Sequence, residues 1–180
     1  MKDIYLYIMK KSILTAAVLL ICGFFIAVNA RQHTIPFENG TLTLTPLQDN
    51  AVRIRYCEGE VRELPEWIYT EDVGKVRCRK TVKRGKTVFK LEDMTVTAFE
   101  GRVEITDSKG RTVFSASAHE LEDASVQGMP TRKALLEIDS PEDEFLYGLG
   151  QFQDGYLNVR GLTRRLTQVN TQIAVPFLLS

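Results

Sequence analysis

The feature that most constrains the fold is an alternation of apolar and polar side chains with a period of two residues. Leu42 and Leu44 alternate with threonines, and Val52 and Ile54 alternate with arginines. Because successive side chains of a strand point to opposite faces, this pattern predicts strands with one buried face. Residues 48–50, Gln-Asp-Asn, are turn formers, so the two runs are predicted to form a hairpin.

Similar short alternations continue along most of the chain. Further predicted strands span residues 76–82, 87–91, 94–99, 102–106, 112–117, 134–138 and 145–149. Turn-forming segments such as 83–86 and 107–110 separate them at spacings of roughly 8 to 12 residues, which is typical of a sandwich or barrel. After residue 30 no stretch keeps a helical apolar period over three turns, and only residues 117–124 fit a short helical turn. The sequence therefore predicts an all-β protein.

The first thirty residues predict export. Two lysines precede the uncharged apolar run 13–28, and small residues end the segment at Ala30. This order is typical of a secretory signal, so we expect residues 1–30 to be removed and the mature chain to begin at Arg31, in the periplasm or outside the cell. A retained membrane anchor is the alternative, although the run falls short of the about 20 residues that span a bilayer. Bulky Ile21 disfavours a lipoprotein signal at Cys22.

Residues 31–180 show no internal repeat, low-complexity tract or second linker, which predicts one domain. Lys plus Arg and Asp plus Glu both number 23, and we expect no basic block of the kind that follows a phosphate backbone. Nucleic acid is therefore not an expected partner. The two His and three Cys are widely scattered, so we expect no metal site. The sequence has no glycine-rich phosphate loop, so we expect no cofactor.

Two pairs of residues leave structural and functional interpretations open. Cys57 and Cys78 remain in the mature chain, where an oxidising compartment allows a disulfide, but two buried free thiols are the favoured interpretation. Trp67 and Tyr69 lie in a longer predicted loop, 58–74. They offer rings that stack on a sugar, but a role in the core or in anchoring the loop is favoured.

No catalytic constellation is visible in the chain. His119-Glu120 lacks the second histidine of a zinc protease helix, and the acidic run at 142–144 beside Pro141 is typical of an exposed turn. We therefore assign no catalytic residue.

The most specific motifs lie near the C-terminal end. Residues 141–151 read Pro-Glu-Asp-Glu-Phe-Leu-Tyr-Gly-Leu-Gly-Gln, followed by Asn-Val-Arg-Gly at 158–161, Asn170, and Val-Pro-Phe-Leu-Leu-Ser at 175–180. This pattern resembles family 31 glycoside hydrolases, most closely the bacterial α-xylosidase and α-glucosidase branch. The resemblance implies an antiparallel β-sandwich of the galactose-mutarotase type, which in that family stands at the N-terminal side of a (β/α)₈ barrel.

The same resemblance implies that the chain functions together with a catalytic barrel. The family's catalytic aspartates lie in the barrel, so the chain is expected to be a truncated, inactive N-terminal accessory domain of an exported α-glycosidase. Its implied partners are the barrel and, through the parent enzyme, an α-linked oligosaccharide. The alternatives are a free-standing secreted carbohydrate-binding sandwich and a structural secreted β-domain.

The predicted route to the substrate is the loop from Gln151 to Thr171. It is about twenty residues long, and loops beyond about 12 to 15 residues are usually functional or disordered. The candidate substrate-binding residues are Asn170, Gln168, Arg160 and Asn158. In the alternative interpretation Asn158, Arg160 and Asn170 only bond loop backbone. Beyond the loop, the apolar strand 174–179 is expected to leave Phe177, Leu178 and Leu179 exposed because no following strand pairs with it.

Overall fold

The computed structural model describes residues 32–60 and 76–180, which form strands joined by turns and loops and contain no helix. Accordingly, this part of the chain holds no helix capable of crossing a membrane. The strands are β1 (His33–Phe37), β2 (Gly40–Gln48), β3 (Ala51–Cys57), β4 (Arg79–Lys83), β5 (Lys86–Lys90), β6 (Met94–Phe99), β7 (Arg102–Asp107), β8 (Thr112–Val126), β9 (Met129–Ile138), β10 (Tyr147–Gln151) and β11 (Ile173–Leu179). The predicted all-β class is confirmed. The predicted signal segment, Trp67 and Tyr69 lie outside the described residues.

The strands form three antiparallel sheets in which chain neighbours are sheet neighbours: β1-β2-β3, β4 to β9 in order, and the ribbon β10-β11. Three hairpins of the six-stranded sheet turn on two residues, Arg84-Gly85, Glu100-Gly101 and Gln127-Gly128, with positive φ at both positions. Two positive φ angles define the type I′ turn, whose twist matches that of the flanking strands. These two-residue turns place consecutive strands next to each other in the sheet, which gives a β-meander.

The core lies between the three-stranded and six-stranded sheets. Its buried members are Ile35, Phe37, Leu42, Leu44, Phe89, Val96, Ala98 and Val103. Directly opposite pairs, such as Ile35 with Leu42 and Phe89 with Val96, place these residues on one face of each sheet. The period-two pattern of the sequence is therefore the inner lining of a sandwich, and each fully buried large side chain contributes about 1.5–3 kcal/mol.

Two sequence predictions are wrong in this region. Residues 117–124 form no helical turn, because they belong to the fifteen-residue strand β8. Strand β8 pairs with β9 from Ala116 to Val126, with a register shift between Ser117 and Glu120, and β9 begins at Met129 rather than at residue 134. Strand pairing over many residues outweighs a weak local helical preference. The sequence also missed β1, an edge strand in which Pro36 interrupts the pattern without interrupting the sheet.

Both cysteines of the predicted mature chain are free thiols, and both are half-buried. Burial raises the pKa of the Cys78 thiol, which keeps it protonated and unreactive. The structure therefore matches the favoured interpretation of two free thiols.

Candidate functional site

The Tyr-Gly-Leu-Gly motif shapes the backbone of the ribbon β10-β11. Strand β10 pairs with β11 through Tyr147 opposite Leu179 and Gly150 opposite Ala174, with a bulge between Gly148 and Gly150. The φ angles of residues 148, 149 and 150 are 110°, 65° and 109°. A Cβ atom on Gly150 would lie 2.1 Å from a backbone carbonyl oxygen, and one on Gly148 2.4 Å from another. The glycines are therefore required for the close approach of the two strands.

The loop between β10 and β11 spans residues 152–172, one residue further along at each end than the predicted loop, because Gln151 belongs to β10 and β11 begins at Ile173. Its centre is anchored on the segment that precedes β10. Val159 is buried, and its N–H donates to the Leu146 carbonyl oxygen over 2.8 Å. The Asn158 Oδ1 atom accepts from the Leu146 N–H at 3.0 Å and from the Arg160 N–H at 3.1 Å. Asn158 therefore fastens the loop to its base.

The Arg160 side chain also contacts protein. Its guanidinium donates to the Ser140 Oγ atom and, over 3.4 Å, to the Ser140 carbonyl oxygen. The Ser140 hydroxyl in turn donates to the Glu144 carboxylate. Asn158 thus bonds to backbone groups, one of them in the loop itself, whereas the Arg160 side chain bonds to Ser140 outside the loop. A direct role of either residue in substrate binding stays a prediction.

The other two candidates lie at the end of the loop. The Gln168 Oε1 atom accepts from the Ala174 N–H over 3.0 Å, which leaves the NH₂ of this exposed side chain pointing away from that bond. Asn170 is exposed in a turn closed by the bridge between Val169 and Gln172. Within the described part of the chain its amide has no hydrogen-bond partner. Of the four candidates, Asn170 is the one whose whole amide faces solvent.

A clamp that the sequence reasoning missed joins the two halves of the loop. The Arg164 guanidinium forms an ion pair with Asp154 and lies 4.6 Å from the centroid of the Phe152 ring. Its hydrogen bond holds the pKa of the Asp154 carboxyl below the usual value, and the same carboxylate accepts from the Tyr156 N–H at 3.3 Å. One signal pointed to this pair: Asp154 is the single acidic residue among residues 152–172, which also contain three arginines.

The second strand of the ribbon, β11, carries exposed apolar side chains. Ile173, Val175, Phe177, Leu178 and Leu179 have exposures of 44–60%. The predicted exposure of Phe177, Leu178 and Leu179 is confirmed. The expected reason needs correction, because β11 does have a pairing strand, β10, and its side chains are exposed although its backbone is paired.

A second feature is an apolar cleft of about 280 Å³ between β3 and the β8-β9 hairpin, lined among others by Ile54, Tyr56 and His119. The His119 ring lies 5.3 Å from the Phe37 ring, its Nδ1 atom is 3.3 Å from the Gly101 carbonyl oxygen, and burial lowers its pKa. Most of the described lining of the cleft is apolar, and Tyr56, His119 and Glu120 are the polar residues of that lining. Residues 32–60 and 76–180 contain no group of acidic, His and Cys side chains placed to hold a metal ion.

The fold and the clamped loop define an antiparallel β-sandwich domain. No family model matches the chain. An uncharacterised family 31 glucosidase from Pseudescherichia vulneris is 23% identical to it, over 80% of this chain and 32% of that protein.

Two solved structures share the fold. A GH31 α-xylosidase from Xanthomonas citri matches with a TM-score of 0.71 and 22% identity, over 83% of this chain and 17% of that one. A GH31 α-xylosidase from a soil metagenome, complexed with xylose, matches with a TM-score of 0.67 and 20% identity, over 83% and 25%. The chain thus spans about a third or less of the length of these proteins. The comparisons confirm the β-sandwich fold and the resemblance to family 31 glycoside hydrolases.

Proposed function

We propose that the chain is the N-terminal accessory domain of an exported family 31 α-glycosidase of the α-xylosidase or α-glucosidase type. In this proposal it packs against a (β/α)₈ catalytic barrel and lends residues 152–172 to the pocket for an α-linked oligosaccharide. The observation that carries the proposal is the uneven overlap: 83% of this chain matches an α-xylosidase of which it covers only 17%.

The exposed apolar side chains of β11 support the packing role. Five of them lie within seven residues of a two-stranded ribbon, which by itself is marginally stable in water. Exposed apolar patches mark interaction sites in soluble proteins. A barrel packed on the ribbon would bury these side chains and stabilise it.

The clamps support the substrate role of the loop. Asn158 and the Asp154–Arg164 ion pair hold the loop in one shape, and preorganised loops bind at a lower entropic cost. Asn170 and the NH₂ of Gln168 are then available to donate to sugar hydroxyls, and Asn170 also to accept from them. These two are our preferred substrate contacts.

The proposal assigns the chemistry to the barrel. A retaining glycosidase needs two carboxyl groups about 5–5.5 Å apart across the scissile bond, and no residue of this chain is assigned to either role. We expect the purified chain to leave aryl α-xylosides and α-glucosides intact.

The decisive experiment uses the coding sequence and the full-length product. An open reading frame that continues past Ser180 into a barrel, with hydrolysis of an aryl α-xyloside or α-glucoside by the product, is the expected result. Within that enzyme, Asn170→Ala should lower kcat/KM more than about fivefold, which corresponds to about 1 kcal/mol of transition-state stabilisation, and should leave the melting temperature unchanged. Asn158→Ala is the control and should lower the melting temperature.

Two results would overturn the proposal. Turnover by this chain alone would contradict the assignment of the chemistry to the barrel. A native stop codon at this point, together with binding of α-linked oligosaccharides by the chain, would favour the free-standing carbohydrate-binding module.

A further inference from the structure

The hairpin β4-β5 carries a concentration of positive charge that the balanced total conceals. Residues 76–91 contain seven basic residues and no acidic one: Arg77, Arg79, Lys80, Lys83, Arg84, Lys86 and Lys90. The sequence-based expectation that the chain lacks a basic block is therefore wrong for this segment.

Strand register places four of these cations on one face. Arg79 lies opposite Lys90, and Lys83 lies opposite Lys86. Opposite residues share a face, and Phe89, next to Lys90, points into the core, so these four cations lie on the outer face of the sheet. Opposite Cβ atoms are about 5 Å apart, and four residues along a strand span about 13 Å. The four cations therefore occupy the corners of a narrow rectangle.

No acidic group of the described residues forms an ion pair with these four exposed side chains. Lys86 makes one compensating contact, with its ammonium 4.1 Å from the centroid of the Phe99 ring. Like charges directly opposite each other destabilise a sheet. The hairpin thus carries a repulsion that a negatively charged partner would relieve.

Protection of a sheet edge does not explain the pattern. Strand β4 is an edge of the six-stranded sheet, and lysines on edges do prevent pairing with other chains. Lys86 and Lys90, however, lie on β5, which has a partner on both sides. Half of the rectangle therefore lies where no edge needs protection.

We propose that the outer face of the β4-β5 hairpin binds the anionic headgroups of a phospholipid surface. Sugars and unpaired bases are recognised through aromatic stacking, and the hairpin's single aromatic residue, Phe89, is fully buried. Headgroup binding needs only cations near the surface.

The test is co-sedimentation of the full chain with vesicles of phosphatidylcholine alone or with about one quarter phosphatidylglycerol. We expect preferential binding to the anionic vesicles, weakened by salt. The quadruple variant Arg79→Gln, Lys83→Gln, Lys86→Gln, Lys90→Gln should lose at least about tenfold of the partition coefficient. This variant removes the cross-strand repulsion, and an unchanged far-ultraviolet circular dichroism spectrum checks its fold.

A matched control removes the same number of charges elsewhere: Lys109→Gln, Arg111→Gln, Arg132→Gln and Lys133→Gln. Its vesicle binding should stay within about twofold of the parent chain, because these side chains lie outside the hairpin. All variants keep residues 1–31, so any contribution of that segment cancels. Equal binding to both vesicle types, an equal loss in the control, or binding to an acidic polysaccharide or duplex DNA but not to vesicles would overturn the proposal.

Discussion

The sandwich core and the C-terminal ribbon are stabilised in opposite ways. In the core, Leu44, Phe89 and Val96 are completely buried between two sheets. In the ribbon, the apolar side chains of β11 are about half exposed, and the local structure depends on glycine geometry and on polar clamps in the adjoining loop. The comparison shows that apolar residues of similar pattern stabilise the first region internally, whereas in the second they remain available to a partner.

The largest expected effect tests the contrast in burial. Phe89→Ala should lower the free energy of unfolding by about 3–5 kcal/mol, because it leaves a cavity in a dense core. Phe177→Ala, at a side chain that is 60% exposed, should cost less than about 1 kcal/mol in this chain. Denaturant titration of both variants measures the difference, and similar losses would contradict the comparison.

A smaller loss of unfolding free energy is expected when a glycine of the ribbon is replaced. Gly150→Ala should cost at least about 2 kcal/mol, because the new Cβ would meet the Ile173 carbonyl oxygen at 2.1 Å and the φ angle disfavours a side chain. Gly155→Ala is the matched control, with a positive φ but no atom within 4 Å of the new Cβ. It should cost about 1 kcal/mol. Equal unfolding free energies for the two variants would show that the close approach is not required.

The loop clamps should contribute less again. Asn158→Ala removes the acceptor of two backbone N–H groups and should cost about 1–2 kcal/mol, measured by thermal unfolding. Asn158→Asp keeps the acceptor and should recover most of the loss. Asn170→Ala should change stability by less than about 0.5 kcal/mol, and a larger change would assign Asn170 to loop structure.

The smallest effect concerns pH and belongs to the sandwich. Burial lowers the pKa of His33 and of His119 from 6.5, so protonation favours the unfolded chain. Stability should be complete above pH 6.5 and decline as the pH falls through the lowered values. The melting temperature should therefore be lower near pH 5.5 than near pH 7.5, and His119→Gln should reduce this difference. An identical pH profile for the variant would remove His119 from the explanation.

Two carboxylates act in another pH range: Asp154 of the loop clamp, and Asp139, which accepts from Ser115 and pairs with Arg102 in the six-stranded sheet. Hydrogen bonds, from Arg164 and from Ser115 respectively, hold the pKa values of Asp154 and Asp139 below 3.8. The stability they contribute is present above pH 3.8 and is lost only as the pH falls through those lowered values. These two carboxylates therefore do not contribute to a change measured between pH 5.5 and 7.5.

Sequence reasoning succeeded where a signal is local. Strand β6 was predicted with its observed bounds, because alternation and a Glu-Gly turn coincide there. It failed where a distant partner decides. Residues 117–124 extend β8 because β9 pairs with them, and the Asp154–Arg164 ion pair joins residues without any periodic relation. The candidate loop was located from its length and motifs, but the contacts of its amides were not predictable, since they depend on the folded backbone.

The sequence by itself determined that the chain forms strands, where most of them turn, and which motif resembles family 31, because alternation, turn residues and glycines act over a few neighbouring positions. An alternating strand has one apolar face, but its pattern does not state what covers that face. Only the tertiary structure decided that the alternation at Leu42 and Leu44 is buried against Phe89, whereas the one at Phe177 remains open. Burial depends on which sheets meet in space, and that is set by contacts between residues far apart in the chain.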